Sequence, residues 1–303
     1  LKEHCFFEKR GVTFQTDYSE ELVKRNLAGL RQLLIEVTDR CNLECKYCGY
    51  GEFYSNYDRR ETGDQAFENV KLLVDYLTKL WCSDYNVSHK NEITIGFYGG
   101  EPLLNMKLVK ETIAYIESLN LPSLIFNYNT TTNAMLLDRY MDYLVEKNFS
   151  ILISLDGNEV QSAYRVDKHG NSSFSRVVRN VKKLQETYPD YFEKKVNFNS
   201  VLHDKNSVDQ IYSYIKTNFD KTPYISELNR NGIAEDKKEE VMFMNRSVNY
   251  FAKNDQFEES NFLNEVLDNP DLIPEFKNYK VDKGEKYSIE DITTFPIANA
   301  AVS

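Results

Sequence analysis

Leu33-Leu34-Ile35-Glu36-Val37-Thr38-Asp39-Arg40-Cys41-Asn42-Leu43-Glu44-Cys45-Lys46-Tyr47-Cys48 is the stretch on which the fold turns. Its first five residues are a short apolar run, long enough for a buried strand and too short for a helix. Thr38-Asp39-Arg40 ends the run with polar groups. Three cysteines then fall within eight residues, Cys41 to Cys48. A buried strand therefore feeds a loop of thiols.

Outward from this strand the same pattern repeats. Residues 65–80 carry Val70, Leu73, Val74 and Leu77 at helical spacing. Strands are expected at 92–98, 124–129, 150–155, 196–202 and 224–228. Helices are expected at 106–119, 137–147, 174–188 and 208–219. Strands alternating with helices imply parallel βαβ units with right-handed crossovers. Six of them make an α/β fold, an open sheet or a partial (β/α)6 barrel. In both, the site lies at the carboxyl ends of the strands. Those ends are Thr38-Asp39-Arg40, Gly99-Gly100-Glu101, Thr130 to Asn133, and Asp156-Gly157, which is also a turn pair.

The expected organisation is an N-terminal helical extension over 1–32, the barrel over 33–230 and a C-terminal helical and irregular extension over 231–303. Helices are expected at 241–251 and 257–267. Residues 269–303 hold Pro270, Pro274 and Pro296 without clear periodicity.

Composition narrows the class. The chain has 303 residues, 41% hydrophobic and 28% charged, enough to bury a core and stay in solution. A net charge of −10 argues against a nucleic-acid binder. No apolar run is long enough to span a bilayer, so no membrane association is expected. Leu1 to Arg10 lacks an apolar signal core, so a cytoplasmic location is expected. The five cysteines, an odd number, make a poor disulfide framework. Clustered reduced thiols bind metal or do chemistry. Cys5 and Cys82 are expected to be ordinary buried thiols.

Cys41, Cys45 and Cys48 form a CxxxCxxC. A structural zinc site closes with four ligands, commonly from paired CxxC units. Here one loop offers three, with no histidine nearby. Three thiolates on a cubane iron–sulfur cluster leave one iron open to a small molecule. A zinc knuckle or a loop of unligated cysteines is the plain alternative. Gly99 and Gly100 allow close backbone approach to a ligand, and Glu101 can accept from an ammonium group.

With these motifs in this order, the chain resembles the radical S-adenosylmethionine (SAM) superfamily, and its peptide-maturase branch in particular. The resemblance covers about residues 33–228. It implies a [4Fe–4S] cluster on Cys41, Cys45 and Cys48, whose fourth iron chelates the amino and carboxylate groups of SAM. Reduction then yields a 5′-deoxyadenosyl radical that abstracts a substrate hydrogen. By the same resemblance Tyr47 lies near the adenine, and Gly99-Gly100-Glu101-Pro102 is the GGEP motif of the SAM ammonium. Ser154, in Ser154-Leu155-Asp156-Gly157, meets the ribose, and Arg165 pairs with the SAM carboxylate. Gly170 to Phe174 matches the family's Gly-x-x-Ser-Phe entry to a helix, with Ser173 a good N-cap. Thr132-Asn133-Ala134 resembles its Thr-Asn-Gly, with Ala in place of Gly.

The implied partners are a ribosomally made peptide and an electron donor such as flavodoxin or ferredoxin. The branch normally adds a cysteine-rich cluster domain, called SPASM or Twitch, yet no cysteine follows Cys82. Truncation before such a domain, with the gene continuing past Ser303, is therefore expected. An anaerobic sulfatase-maturase-like or small-molecule radical SAM enzyme is the alternative function. A non-catalytic metal-binding scaffold is the third.

Overall fold

The computed structural model describes residues 19–55, 63–87 and 91–246. Six strands form one sheet in sequence order: β1 Gln32–Thr38, β2 Glu92–Gly99, β3 Ile125–Thr132, β4 Ser150–Ser154, β5 Val196–Leu202 and β6 Tyr224–Glu227. Every neighbouring pair is parallel. The helices are α1 Glu20–Ala28, α2 Phe67–Trp81, α3 Met106–Ser118, α4 Leu137–Glu146, α5 Phe174–Thr187, α6 Pro189–Lys195, α7 Val208–Phe219 and α8 Lys238–Met244. The expected α/β alternation is present.

Differences fall at element ends and in weakly patterned segments. β3 continues to Thr132, because Thr130 and Thr132 turn inward and extend the buried face of the strand. Helix α1 falls in the N-terminal extension, which was expected to be helical, although Ala28 is its only buried residue. It starts on local signals instead: Ser19 accepts from the Leu22 amide at 3.1 Å, and Glu20 and Glu21 occupy the first turn. Helix α6 is a single short element entered at Pro189. The helix expected at 241–251 is α8, which begins earlier and ends at Met244, where Asn245 turns extended; residues beyond 246 lie outside the described ones. So do the 257–267 helix, the 269–303 segment and Cys5.

Two residues behave differently from expectation. Ser173 makes no side-chain cap; its hydroxyl donates to the Arg165 carbonyl at 2.7 Å, tying the start of α5 to the preceding loop. Cys82 is exposed rather than buried. It follows the last turn of α2, where the chain leaves the helix layer on its way to β2.

The strands alternate, and the alternation explains the architecture. Leu33, Ile35 and Val37 of β1 and Val196, Phe198 and Leu202 of β5 are buried on the helix side. Ile95, Ile113, Leu144, Ile153, Val181 and Ile215 join them in one core. Phe97, Tyr128 and Phe149 stack there with centroids 5.6 to 6.5 Å apart. Each large apolar side chain so buried is worth about 1.5–3 kcal/mol.

Parallel sheets are commonly apolar on both faces. Here the second face mixes polar residues with a few apolar ones such as Leu34 and Leu152, and lines a hollow of about 780 Å3. Leu34 of β1, Asn129 of β3, Asn197 of β5 and Tyr224 of β6 all reach this one hollow, so the sheet curls. β1 and β6 are its two edges, which makes the curl a partial barrel. Among the described residues no helix is long and apolar enough to cross a membrane.

Candidate active site

The cysteine loop leaves the carboxyl end of β1 and docks against residues 164–167. The Glu44 amide donates to the Val166 carbonyl at 2.8 Å and the Lys46 amide to Tyr164 at 3.0 Å. Leu43, 2% exposed, anchors the loop. Within it, the Cys48 amide bonds the Cys45 carbonyl at 3.0 Å. The Leu43 amide lies 3.4 Å from Cys41 Sγ.

The two glycines at the end of β2 serve this docking. Gly99 has φ +126°, and a Cβ on it would meet the Thr38 carbonyl at 2.3 Å. A Cβ on Gly100 would lie 2.2 Å from the Arg40 carbonyl. The backbone bonds of this close approach are Gly100 to Thr38 at 2.8 Å and Glu101 to Arg40 at 2.9 Å. The glycines thus let β2 press against the entry to the cysteine loop. Gly100→Ala should cost about 1–3 kcal/mol, as overpacking against backbone does. A urea denaturation midpoint unchanged from the parent would contradict that contact.

Glu101 is 1% exposed and ties three segments. Its Oε1 accepts from the Thr132 hydroxyl at 2.7 Å and the Leu103 amide at 3.0 Å; its Oε2 accepts from the Asn133 amide at 2.7 Å. Burial pushes its carboxyl up, and these three donors oppose the shift.

Arg165 and Asp156 form the buried ionic centre. Arg165 Nε and Nη2 donate to the two Asp156 oxygens at 3.0 and 2.8 Å. Asp156, wholly buried, also accepts from the Val201 amide at 2.9 Å and from the Tyr47 hydroxyl. Burial alone would raise its carboxyl, but the Arg165 guanidinium and His203, through charge and hydrogen bonding, together outweigh it and hold the group down to about 2. The Tyr47 ring stacks on His203, centroids 5.7 Å apart, with the Arg165 guanidinium 5.4 Å from its centre. Burial, reinforced by Asp156 and opposed by Arg165, keeps the Tyr47 phenol protonated well above its ordinary range.

All the candidates named from the sequence line one cavity of about 210 Å3: the three cysteines with Tyr47, Gly99 through Glu101, and Ser154 with Arg165. The cavity sits at the carboxyl ends of the strands and shares Tyr98 and Thr131 with the larger hollow. The sequence reading missed Asn199, Ser226 and Glu227, which also line it. Asn199 accepts from the Ser226 hydroxyl at 3.0 Å. The alternation Val196-Asn197-Phe198-Asn199 was the available signal, since it sets the asparagines on the face opposite the core.

The donor set fits an iron–sulfur cluster. Among the described residues no three His, Cys, Asp or Glu side chains are gathered as ligands for a single metal ion. The three thiols instead share the wall of a cavity with room beside them. Burial pushes the Cys45 thiol up to about 12, with Arg165 opposing and Cys48 and Cys41 reinforcing. Such a thiol keeps its proton at neutral pH unless a metal takes its place.

Fold and site together define a parallel α/β partial barrel carrying a three-cysteine loop at its rim. Residues 35–217, more than half of the chain, match the Radical SAM superfamily. The chain belongs to that superfamily, whose enzymes use a [4Fe–4S] cluster and SAM. It is 27% identical to the cysteine-type anaerobic sulfatase-maturating enzyme of Clostridium novyi over 194 residues, 63% of this chain and 49% of that protein. It is 24% identical to the radical SAM cyclopropyl synthase TigE of Paramaledivibacter caminithermalis over 218 residues, 65% of this chain and 43% of that one. The solved structure of anSMEcpe with bound AdoMet matches the fold with TM-score 0.56 at 23% identity, over 78% of this chain and 62% of that one. The chain spans about half the length of these two curated relatives.

Proposed function

We propose that this radical SAM enzyme modifies a ribosomally made peptide. Cys41, Cys45 and Cys48 would hold the cluster. Arg165 retains its Nη1 donors beyond the two nitrogens that Asp156 takes, and these suit the SAM carboxylate. Glu101 and the two glycines beside it would meet the ammonium, Ser154 the ribose, and the fixed Tyr47 ring the adenine. When bound, the cluster supplies the electron that cleaves SAM, and SAM the radical that takes a substrate hydrogen.

The observation that carries the reading is that the two spaces are neighbours with shared walls. The cavity lined by the SAM-type motifs adjoins, with Tyr98 and Thr131 in both walls, a hollow whose lining includes Asn129, Ser150, Asn197 and Thr222 beside charged residues such as Lys194 and Lys216. Side-chain amides and hydroxyls both donate and accept, which suits the alternating N–H and C=O groups of a peptide. The likeness to a sulfatase-maturating enzyme, whose substrate is a polypeptide, supports the same class. So does anSMEcpe, solved also with bound AdoMet and Cp18Cys peptide, although at 22% identity. A flavodoxin or ferredoxin would supply the electron.

Anaerobic incubation of the cluster-loaded chain with SAM, dithionite and short peptides encoded beside its gene tests this by mass spectrometry. The expected outcome is 5′-deoxyadenosine together with a peptide that has lost hydrogens or gained a crosslink. A peptide from a sulfatase active site modified in their place would favour the maturase-like reading. 5′-Deoxyadenosine with every peptide unchanged would count against a peptide substrate.

A further inference from the structure

We infer that Asn133 tunes the reduction potential of the cluster by donating a hydrogen bond to the Cys41 sulfur. The inference rests on the reading of Cys41 as a cluster ligand. Asn133 Nδ2 lies 3.7 Å from Cys41 Sγ and 2.8 Å from Asn42 Oδ1. An amide nitrogen has two hydrogens, one for each partner. The orientation of the amide is fixed from its other end, because Asn133 Oδ1 accepts from the Met135 amide at 3.0 Å. Reversing the group would turn its oxygen toward an acceptor oxygen and its nitrogen toward a donor.

The backbone holds the side chain in place. The Asn133 amide donates to Glu101 Oε2, and Ala134 follows at φ +57° with its own amide on the Thr132 hydroxyl at 3.0 Å. A non-glycine residue in that region persists only where its surroundings fix it. Asn133 is 7% exposed, so water competes little for its donors. With the Leu43 amide at 3.4 Å, Cys41 Sγ faces two N–H groups.

An electron added to a thiolate-held cluster raises the negative charge on its sulfurs. Donors aimed at those sulfurs stabilise the reduced form more than the oxidised form, and so raise the potential. The GGEP glutamate then has a second part to play, since it fixes the residue that eases reduction.

The test is an EPR-monitored redox titration of the cluster-loaded full chain, for the parent, Asn133→Ala and Asn133→Asp. Asn133→Ala should lower the ratio of reduced to oxidised cluster about tenfold at a fixed solution potential, a shift of about −59 mV for one electron. Asn133→Asp, of the same shape but with a negative charge for a donor, should shift further the same way. Asn42→Ala, which removes only the amide's other partner, should stay within about twofold of the parent, well inside that tenfold step. A parent potential retained in an iron-replete Asn133→Ala or Asn133→Asp protein overturns the inference. Loss of iron from both variants also overturns it, by assigning Asn133 to building the loop. A parent that binds no cluster, or keeps it after Cys41→Ala, refutes the ligand reading itself.

Discussion

Replacing Cys41, Cys45 or Cys48 by Ala should take the anaerobically reconstituted protein from roughly four irons per chain to near none, with loss of its brown colour. Each thiol stands in one loop that begins directly after β1, and each lines the same cavity. A cubane held by three thiolates has no protein ligand to spare, so two cannot keep it in place. Cys82→Ala is the internal control. Cys82 is exposed after the end of α2 and takes no part in the cavity, so its replacement should leave iron and colour intact. SAM cleavage should vanish with the iron in the first three variants and persist in the fourth. A colourless parent protein with one tightly bound zinc would sink the cluster reading and restore the zinc knuckle weighed from the spacing alone.

Glycine replacements act on the same loop by a different route. Gly100→Ala keeps all three thiols but pushes a methyl group into the Arg40 carbonyl. Its main effect should be on stability, whereas the cysteine variants should stay near the parent in stability without metal. Comparing urea curves of the metal-free proteins with their iron contents separates the two roles.

Much of this was legible in the residues because the physics was local. A five-residue apolar run can bury as a strand and little else, so β1 to β6 were readable to within a few residues. The rim followed from parallel topology, which places every strand end of one sense on one side. Asp156 was not legible in the same way. In sequence it is half of an Asp-Gly pair, and nothing nearby says that Arg165 and Tyr47 will fold over it. That network joins the cysteine loop, β4 and β5, and only the tertiary fold brings them together. Cys82 was misread for a related reason: free cysteine is among the most commonly buried residue types, but here it is exposed just past the end of α2, where the chain is leaving the helix layer. Ser173 had the composition of a cap, yet its hydroxyl found the Arg165 carbonyl instead.

The Asp156–Arg165 pair carries the second large expectation. Asp156→Ala strands a guanidinium that is 7% exposed, and breaking a buried pair by removing one partner costs about 3–5 kcal/mol. The loss should appear in urea denaturation at pH 7. Asp156→Asn keeps the shape and removes the charge, which isolates the ionic part. The folded carboxyl sits at about 2, below its ordinary value. Its ionic contribution is therefore present above the unfolded pKa, near 4, and lost as pH falls through about 2. A shift of that size corresponds to about 2–3 kcal/mol. The stability gap between the parent and Asp156→Asn should hold steady from pH 7 to 5 and narrow below about pH 4. A gap that stays constant down to pH 3 would mean that Asp156 is not ionised against Arg165. The same pair bears on SAM. Arg165→Ala should weaken SAM binding to the cluster-loaded protein by about 2–5 kcal/mol, since a buried ligand carboxylate would lose its partner. Asp156→Asn, which keeps the guanidinium but not the carboxylate that aims it, should weaken binding less. Unchanged SAM affinity in a folded Arg165→Ala protein would assign the guanidinium wholly to Asp156, and the SAM carboxylate would need another partner on the cavity wall.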